Sequence, residues 1–455
     1  MRRTFSTAAT AALLGLAAGN AAQAALFAVD SGPYGTDTGG FAAWYQDSHG
    51  RVLDLCLSRA ISSRVPGTPG APSYMCTLLP EPGVYDDTQP LAFPGNFPSE
   101  AFWFTADAFI QQGGINLAYG AALEAAFNTE QPVDGDQISF ARIRLRVDLT
   151  TPGSYTITHP YGIEVFTVSA EDIGNDGVNA INQTRDIGIG APGVYTGALK
   201  GDVGPFLRSV NGPYPETNPD TGALELFVGD PNLEEKATGS PFNTNYVRIQ
   251  GPNGLDLRTE VFAVSGKLSA LQRPTPLIIQ RSTYSRDTDE SGAPVQSQDV
   301  FVQAPPPPGN ASFKDSAGAS VTMTETSGTG HWYGQSEATP EPLAELEVSA
   351  DNSAASPPNP PTSLTTPLVD QVTIEQAEYS LGSGQLLIVA SSSDRIALPV
   401  LTASDAAVGT PIGPLDEGNG ALKSLDSVIS SIPPARVTVT SANGGSDTEE
   451  VLIRP

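Results

Sequence analysis

The sequence predicts an all-β protein, and three observations carry that prediction. Turn-forming residues are abundant, with 46 Gly and 40 Pro in 455 residues. Short runs of period-two hydrophobicity recur between those turns. Helical spacing shows up only once after the first 25 residues, in INLAYGAALEAAF (115–127), where Ala and Leu are placed for a helix. A chain this long exceeds one ordinary domain, so two to four are expected.

The elements follow in order. FAAWYQD (41–47) and RVLDLCL (51–57) flank Ser48-His49-Gly50, a hairpin signal with Gly in the loop. In ARIRLRVDL (141–149), Ala141, Ile143, Leu145, Val147 and Leu149 fall on one face, and Arg142, Arg144, Arg146 and Asp148 on the other. Period two means a strand with one buried face. The turn Thr151-Pro152-Gly153-Ser154 leads into a second alternating run at 154–159. Further strands are expected at 222–228, 245–250 and 258–264, the last two separated by Pro252-Asn253-Gly254.

The second half repeats itself. IQRSTYS (279–285) matches IEQAEYS (374–380) at Ile, Tyr and Ser, and AELEVS (344–349) matches ARVTVT (435–440) at Ala and Val. VFVQA (300–304) and LLIVA (386–390) follow the first pair. Landmarks in the same order argue for duplicated modules of about 90 residues, with SPPNPPTSLTTP (356–367) as the linker. PPARVTVTSANGG (433–445) resembles the terminal strands of immunoglobulin-like modules of bacterial surface proteins. So does PGSYTIT (152–158), with Tyr155 placed like a corner tyrosine. WYQD (44–47) and THPYG (158–162) resemble uncharacterised exported bacterial proteins. The resemblance implies a scaffold and no activity. The expected organisation is a signal peptide at 1–24 and a β-rich, sandwich-like region at 25–270, with a further split near 171 as an option. Immunoglobulin-like β-sandwich modules then follow at 271–367 and 368–455.

Arg2-Arg3, the apolar run 8–19 and Ala22-Gln23-Ala24 form the n-region, h-region and cleavage site of that signal peptide. Arg2-Arg3 with Phe5 also resembles a twin-arginine signal, so the export route stays open. The address is periplasmic, cell-surface or extracellular. No later run is long and apolar enough for a transmembrane helix. A formal charge of −27 repels nucleic acid and anionic lipid and excludes both as main partners. In such a compartment Cys56 and Cys76 read as a disulfide. A metal site would need more ligands than the neighbouring His49 supplies.

Candidate chemistry is sparse. His49, His159 and His331 lack the setting of a catalytic base and read as packing or turn residues. Asp86, Asp87 and Glu100 could form a glycosidase-type acid pair, which spacing alone does not single out. DTDESG (287–292) echoes the start of a calcium loop, with oxygens at Asp287, Asp289 and Ser291 and a turn at Gly292. Gln298 stands where a closing bidentate Glu would be. Asp172, Asn175 and Asp176 before Gly177 are a weaker version. The Arg142–Arg144–Arg146 row would either grip an anion or pair with acids on neighbouring strands. Trp44-Tyr45, Phe102-Trp103-Phe104 and Trp332-Tyr333 would stack on sugars only if exposed. The expected function is a non-catalytic exported or cell-surface protein with a binding, structural or adhesion role toward an extracellular ligand, and calcium as its one candidate cofactor. The alternative is a secreted hydrolase of polysaccharide or ester, catalytic in 25–270.

Overall fold

A computed structural model describes residues 25–68, 70–174, 176–337, 344–429 and 432–455. The signal peptide expected at 1–24 lies outside them. The chain is all-β: an N-terminal β-rich region precedes two immunoglobulin-like sandwiches. Among the described residues the helical elements are single turns, at Thr36–Thr38, Ala170–Ile173, Thr196–Lys200 and Pro252–Gly254.

The spine of the N-terminal region is an antiparallel meander of Glu100–Gln112, Ile115–Phe127 and Gln137–Asp148, extended by Val261–Ser265 on one side and Ile181–Ile187 on the other. The alternation at 141–149 holds: Ala141, Ile143, Leu145, Val147 and Leu149 are buried, while the arginines face outward. Trp44–Asp47 and Val52–Asp54 form the hairpin expected around His49. Tyr45 meets Trp103 at 4.8 Å between ring centroids, which joins that hairpin to the core of the meander. Tyr155 is buried and its hydroxyl donates to Thr151 O at 2.6 Å, the back-bond of a corner tyrosine.

Three expectations are corrected. Residues 115–127 form a strand, not a helix. Ala and Leu favour helix intrinsically, but this segment is paired along nearly its whole length on both sides. Ala121, Ala122, Ala125 and Ala126 are all buried, so small side chains fit where both faces are covered. The single strand expected at 258–264 is split at Glu260. Leu255–Thr259 pairs with Val247–Gly251, whereas Val261–Ser265 pairs with the meander. The Pro-rich segment read as a linker is the strand Asn359–Pro367. It lies at a sheet edge, where a missing N–H costs no ladder bond.

The two modules share one topology. The first runs through Ile278–Thr288, Pro294–Gln303, Asn310–Lys314, Ser320–Thr322, Thr324–Glu325, His331–Ser336, Glu345–Asn352, Asn359–Pro367 and Val369–Asp370. The second runs through Val372–Ser380, Gln385–Ser392, Leu401–Asp405, Pro411–Pro414, Glu417–Asn419, Leu422–Val428, Arg436–Ser441, Ser446–Glu450 and Leu452–Arg454. In each, one sheet has strand order fifth-sixth-second-first-ninth and the other fourth-third-seventh-eighth. The ninth strand lies parallel to the first in both. Leaving that ninth strand aside, this is the immunoglobulin arrangement of an ABED sheet on a CFG sheet with an added C′ strand. The repeat extends to backbone irregularity. A bulge falls at Gln280 in the first module and at Glu375 in the second, the second residue of IQRSTYS and of IEQAEYS. Tyr284 and Tyr379, which match in those runs, are both buried, as are Val348 and Val439.

Each module has its own apolar core, distinct from that of the N-terminal region. The units nevertheless touch through buried polar contacts. At the first junction Asn359 Nδ2 donates to Gly50 O at 2.9 Å and to Arg273 O at 3.1 Å, and Gln46 Nε2 donates to Pro274 O at 3.0 Å. At the second, Arg286 N donates to Ser393 O and Arg395 N to Arg286 O. There the Arg286 guanidinium meets the Asp394 carboxylate.

Candidate functional site

Glu124, on the central meander strand, is a buried carboxylate whose ion-pair partner Arg142 lines a cleft. Arg142 and Asp186 lie directly opposite one another, while Glu124, which faces Phe102 and Phe140 across its two ladders, is set diagonally to Glu100 on one side and to Arg142 on the other. Arg142 Nη1 lies 3.0 Å from Glu124 Oε2, and its Nε lies 2.7 Å from Asp186 Oδ1. The same guanidinium sits 4.8 Å over the Phe140 ring. Glu124 is 1% exposed. Burial pushes its carboxyl up to about 8, against the attraction of Arg142 and with the repulsion of Glu100 and Asp186. Glu100, Arg142 and Asp186 line an open cleft of about 420 Å³ whose walls include Phe127, Ile138 and Phe140. A carboxyl that keeps its proton near neutral pH beside a second carboxyl can act as a general acid.

The sequence-level candidates fall in different places. Cys56 and Cys76 form a disulfide with a Cα–Cα distance of 5.3 Å, inside a small cluster with Met75, Tyr214 and Phe227. Asp289 Oδ1 accepts from Ser291 Oγ at 2.6 Å, Ser291 N at 2.8 Å and Ala293 N at 2.9 Å, which closes the hairpin loop. Asp287 does not join that cluster. Its Oδ2 lies 3.0 Å from Arg395 Nη1 of the second module. Asp172 caps the short helical turn by bonding Ser169, and Asn175 lies outside the described residues. Asp86 binds the Thr88 hydroxyl and N–H. Among the described residues no three His, Cys, Asp or Glu side chains converge in a way that could hold a metal ion. Likewise, no helix there is long and apolar enough to cross a membrane.

Of the arginine row, Arg142 pairs with acids on both neighbouring strands, and Arg144 Nε donates to Thr184 Oγ1 at 3.3 Å. Trp44, Tyr45, Phe102, Trp103, Phe104 and Trp332 are buried. Trp44 is capped by the Arg273 guanidinium at 4.5 Å. Tyr333 is exposed, beside Phe301 at 4.7 Å and bonded to Asp299. His49 is buried and its Nε2 is 3.2 Å from Thr329 O; burial, with Arg51 nearby, lowers its imidazole to about 3, so it stays neutral and donates. His159 Nδ1 accepts from Tyr161 N at 3.2 Å, a turn role. Sequence reasoning missed Glu124, because a helical reading of 115–127 placed it on no particular face. The signal was a lone Glu in an otherwise apolar run.

No protein-family model matches the chain, and no curated protein matches it significantly. Solved structures with local likeness include the N-terminal Ig1-2 module of the Drosophila receptor protein tyrosine phosphatase DLAR. It is 12% identical, over 40% of this chain and 100% of its own, with a TM-score of 0.16. A structure from a 1.5-MDa bacterial ice-binding adhesin is 10% identical over 70% of this chain and 91% of its own, with a TM-score of 0.15. The BSP domain of a biofilm associated protein is 10% identical over 76% and 77%, with a TM-score of 0.19. Likeness at this level carries no argument about ligand or activity, and the assignment of fold rests on the strand order above.

Proposed function

We propose that the chain is a non-catalytic, exported or cell-surface binding protein. In this reading two immunoglobulin-like modules (271–367 and 368–455) hold the N-terminal region (25–270) at a fixed spacing and present it to an extracellular ligand. The observation that carries it is the sealed junction at Arg286 and Asp394, whose side chains are 9% and 0% exposed. A chain that only needed a tether would not desolvate an ion pair there. The Cys56–Cys76 disulfide suits an oxidising compartment. The test is a binding assay of the purified mature chain against extracellular polysaccharides and intact cell surfaces, run beside a broad hydrolase and oxidase screen. Saturable binding without turnover is expected; robust turnover overturns the reading.

The second reading, a secreted hydrolase, is favoured by the raised carboxyl of the buried Glu124, whose neighbours Glu100 and Arg142 line the cleft. It predicts turnover of a polysaccharide or ester that Glu124→Gln abolishes while the fold is retained. Calcium remains a proposed accessory ligand of Asp287, Asp289 and Ser291, and it would have to displace Arg395 from Asp287.

A further inference from the structure

The joint between the N-terminal region and the first module encloses a second cavity, of about 80 Å³. Its N-terminal wall includes His49, Arg51 and Arg208, and its module wall includes Pro307, Asn352 and Asn359. The two asparagines are fixed by their own bonds: Asn352 Nδ2 donates to Asn359 Oδ1 at 2.6 Å, and Asn359 bonds back to Gly50 O. Gly50, at φ 90°, leaves no room for a side chain, because a Cβ there would meet Asn359 Oδ1 at 2.4 Å. The wall is therefore built closely and held from both sides.

Charge in this cavity does not balance. Arg51 Nη1 and Arg208 Nε are buried without a hydrogen-bond partner. Among the described residues Arg208 makes no ion pair, and Arg51 reaches only Asp47, at 3.8 Å. That carboxylate is already engaged by the N–H groups of His49, Arg51 and Phe206. Arg51 thus has one distant, committed carboxylate and Arg208 has none within ion-pair distance among the described residues, on a chain whose formal charge is −27. Both arginines are partly buried. A buried guanidinium nitrogen left without an acceptor is costly, and the fork of guanidinium donors suits an oxyanion.

We propose that this cavity binds a small oxyanion, of the size of inorganic phosphate or sulfate, between Arg51 and Arg208. The anion balances the two cations and joins the N-terminal region to the first module. The site is separate from the Glu124 cleft and does not depend on the binding role proposed above.

The test is equilibrium dialysis of the full mature chain with radiolabelled inorganic phosphate at fixed ionic strength, with sulfate and chloride as competitors. Saturable binding of one phosphate per chain, displaced by sulfate and poorly by chloride, is expected. Arg51→Met and Arg208→Met, each checked for native near-ultraviolet dichroism, should weaken binding by at least about tenfold. Thermal melting gives an independent readout on the unmodified protein: phosphate should raise its Tm saturably above a matched chloride control. Absence of saturable phosphate binding to the wild-type chain overturns the proposal, whatever the variants do. Equal displacement by chloride overturns the oxyanion assignment. Unchanged affinity in folded Arg51→Met and Arg208→Met places the site elsewhere.

Discussion

Arg286 Nη2 lies 2.6 Å from Asp394 Oδ2 across the boundary between the two modules. The pair is not isolated. The Tyr284 hydroxyl donates to the same carboxylate at 3.0 Å, Asn443 Nδ2 approaches both, and Ala397 N donates to Asp394 Oδ1 at 2.8 Å. Burial would raise the Asp394 carboxyl, but Arg286 and the surrounding donors hold it below its usual value. Asp394→Ala leaves a buried guanidinium without its carboxylate and should cost about 3–5 kcal/mol, read as a lower midpoint in urea. Arg286→Met with Asp394→Leu removes both charges and should cost much less. Small-angle scattering should show the single Asp394→Ala variant bending at this junction, and an unchanged profile would count against a rigid spacing role.

Glu124 should make stability fall as pH rises. Its folded carboxyl titrates at about 8, above the ordinary 4.5, so the native state binds a proton that the unfolded state has released between those values. The stability slope is then negative across that window, and by about pH 9 the charged, buried carboxylate costs on the order of a few kcal/mol. Glu124→Gln cannot ionise. It should match the wild type near pH 4 and exceed it above pH 8, with a flatter profile of urea midpoint against pH. Parallel profiles would mean that Glu124 is charged throughout.

Much of this architecture was legible because its signals are local. Period two at 141–149 needs only side chains, and the repeat needed only landmarks such as Tyr284 and Tyr379. The junctions were illegible for the opposite reason. Arg286 and Asp394 lie 108 residues apart, and Arg51 and Arg208 meet only because a hairpin and a distant strand share a wall. The run 115–127 misled because Ala and Leu report helix propensity, while pairing partners on both sides decide the outcome. In the candidate site Arg142 was visible and Glu124 was not, since a lone Glu reveals its burial only once the strand face is known. The prolines at 360, 361 and 367 suggested a linker because composition does not distinguish an exposed linker from an edge strand.

The Cys56–Cys76 bond closes a 20-residue separation beside a small apolar cluster that includes Ala60 and Met75. The chain-entropy model gives such a loop about 3 kcal/mol. Labelling under denaturing, non-reducing conditions should find no free thiol, and Cys56→Ala with Cys76→Ala should lower the urea midpoint by a corresponding amount. Two labelled thiols per chain would remove the support for an oxidising compartment.

Calcium at the 287–292 loop has a sign that can be worked out from the contacts present. Asp289 Oδ1 holds the loop closed through Ser291 and Ala293, and the Ser291 hydroxyl keeps its carboxyl below the usual range. Asp287 is shared with Arg395, an exposed pair with side chains 49% and 62% accessible. Such a pair contributes only about 0–1 kcal/mol, so a divalent cation need overcome little to take Asp287 from it. What the ion lacks is a closing ligand: Gln298 sits on the next strand, fully buried, with its amide bonded to Ser316. Binding should therefore be weak and limited by competition from Arg395. Millimolar calcium should raise the Tm of the wild-type chain slightly above a control matched in ionic strength with sodium chloride. Arg395→Ala, by freeing Asp287, should enlarge that shift, toward the roughly 2.7 kcal/mol that a hundredfold excess over Kd supplies. Asp287→Ala with Asp289→Ala should abolish it. If neither the wild type nor Arg395→Ala responds beyond the sodium control, the loop is a solvated turn closed by Asp289 and Ser291 alone, and calcium has no place in this protein through these residues.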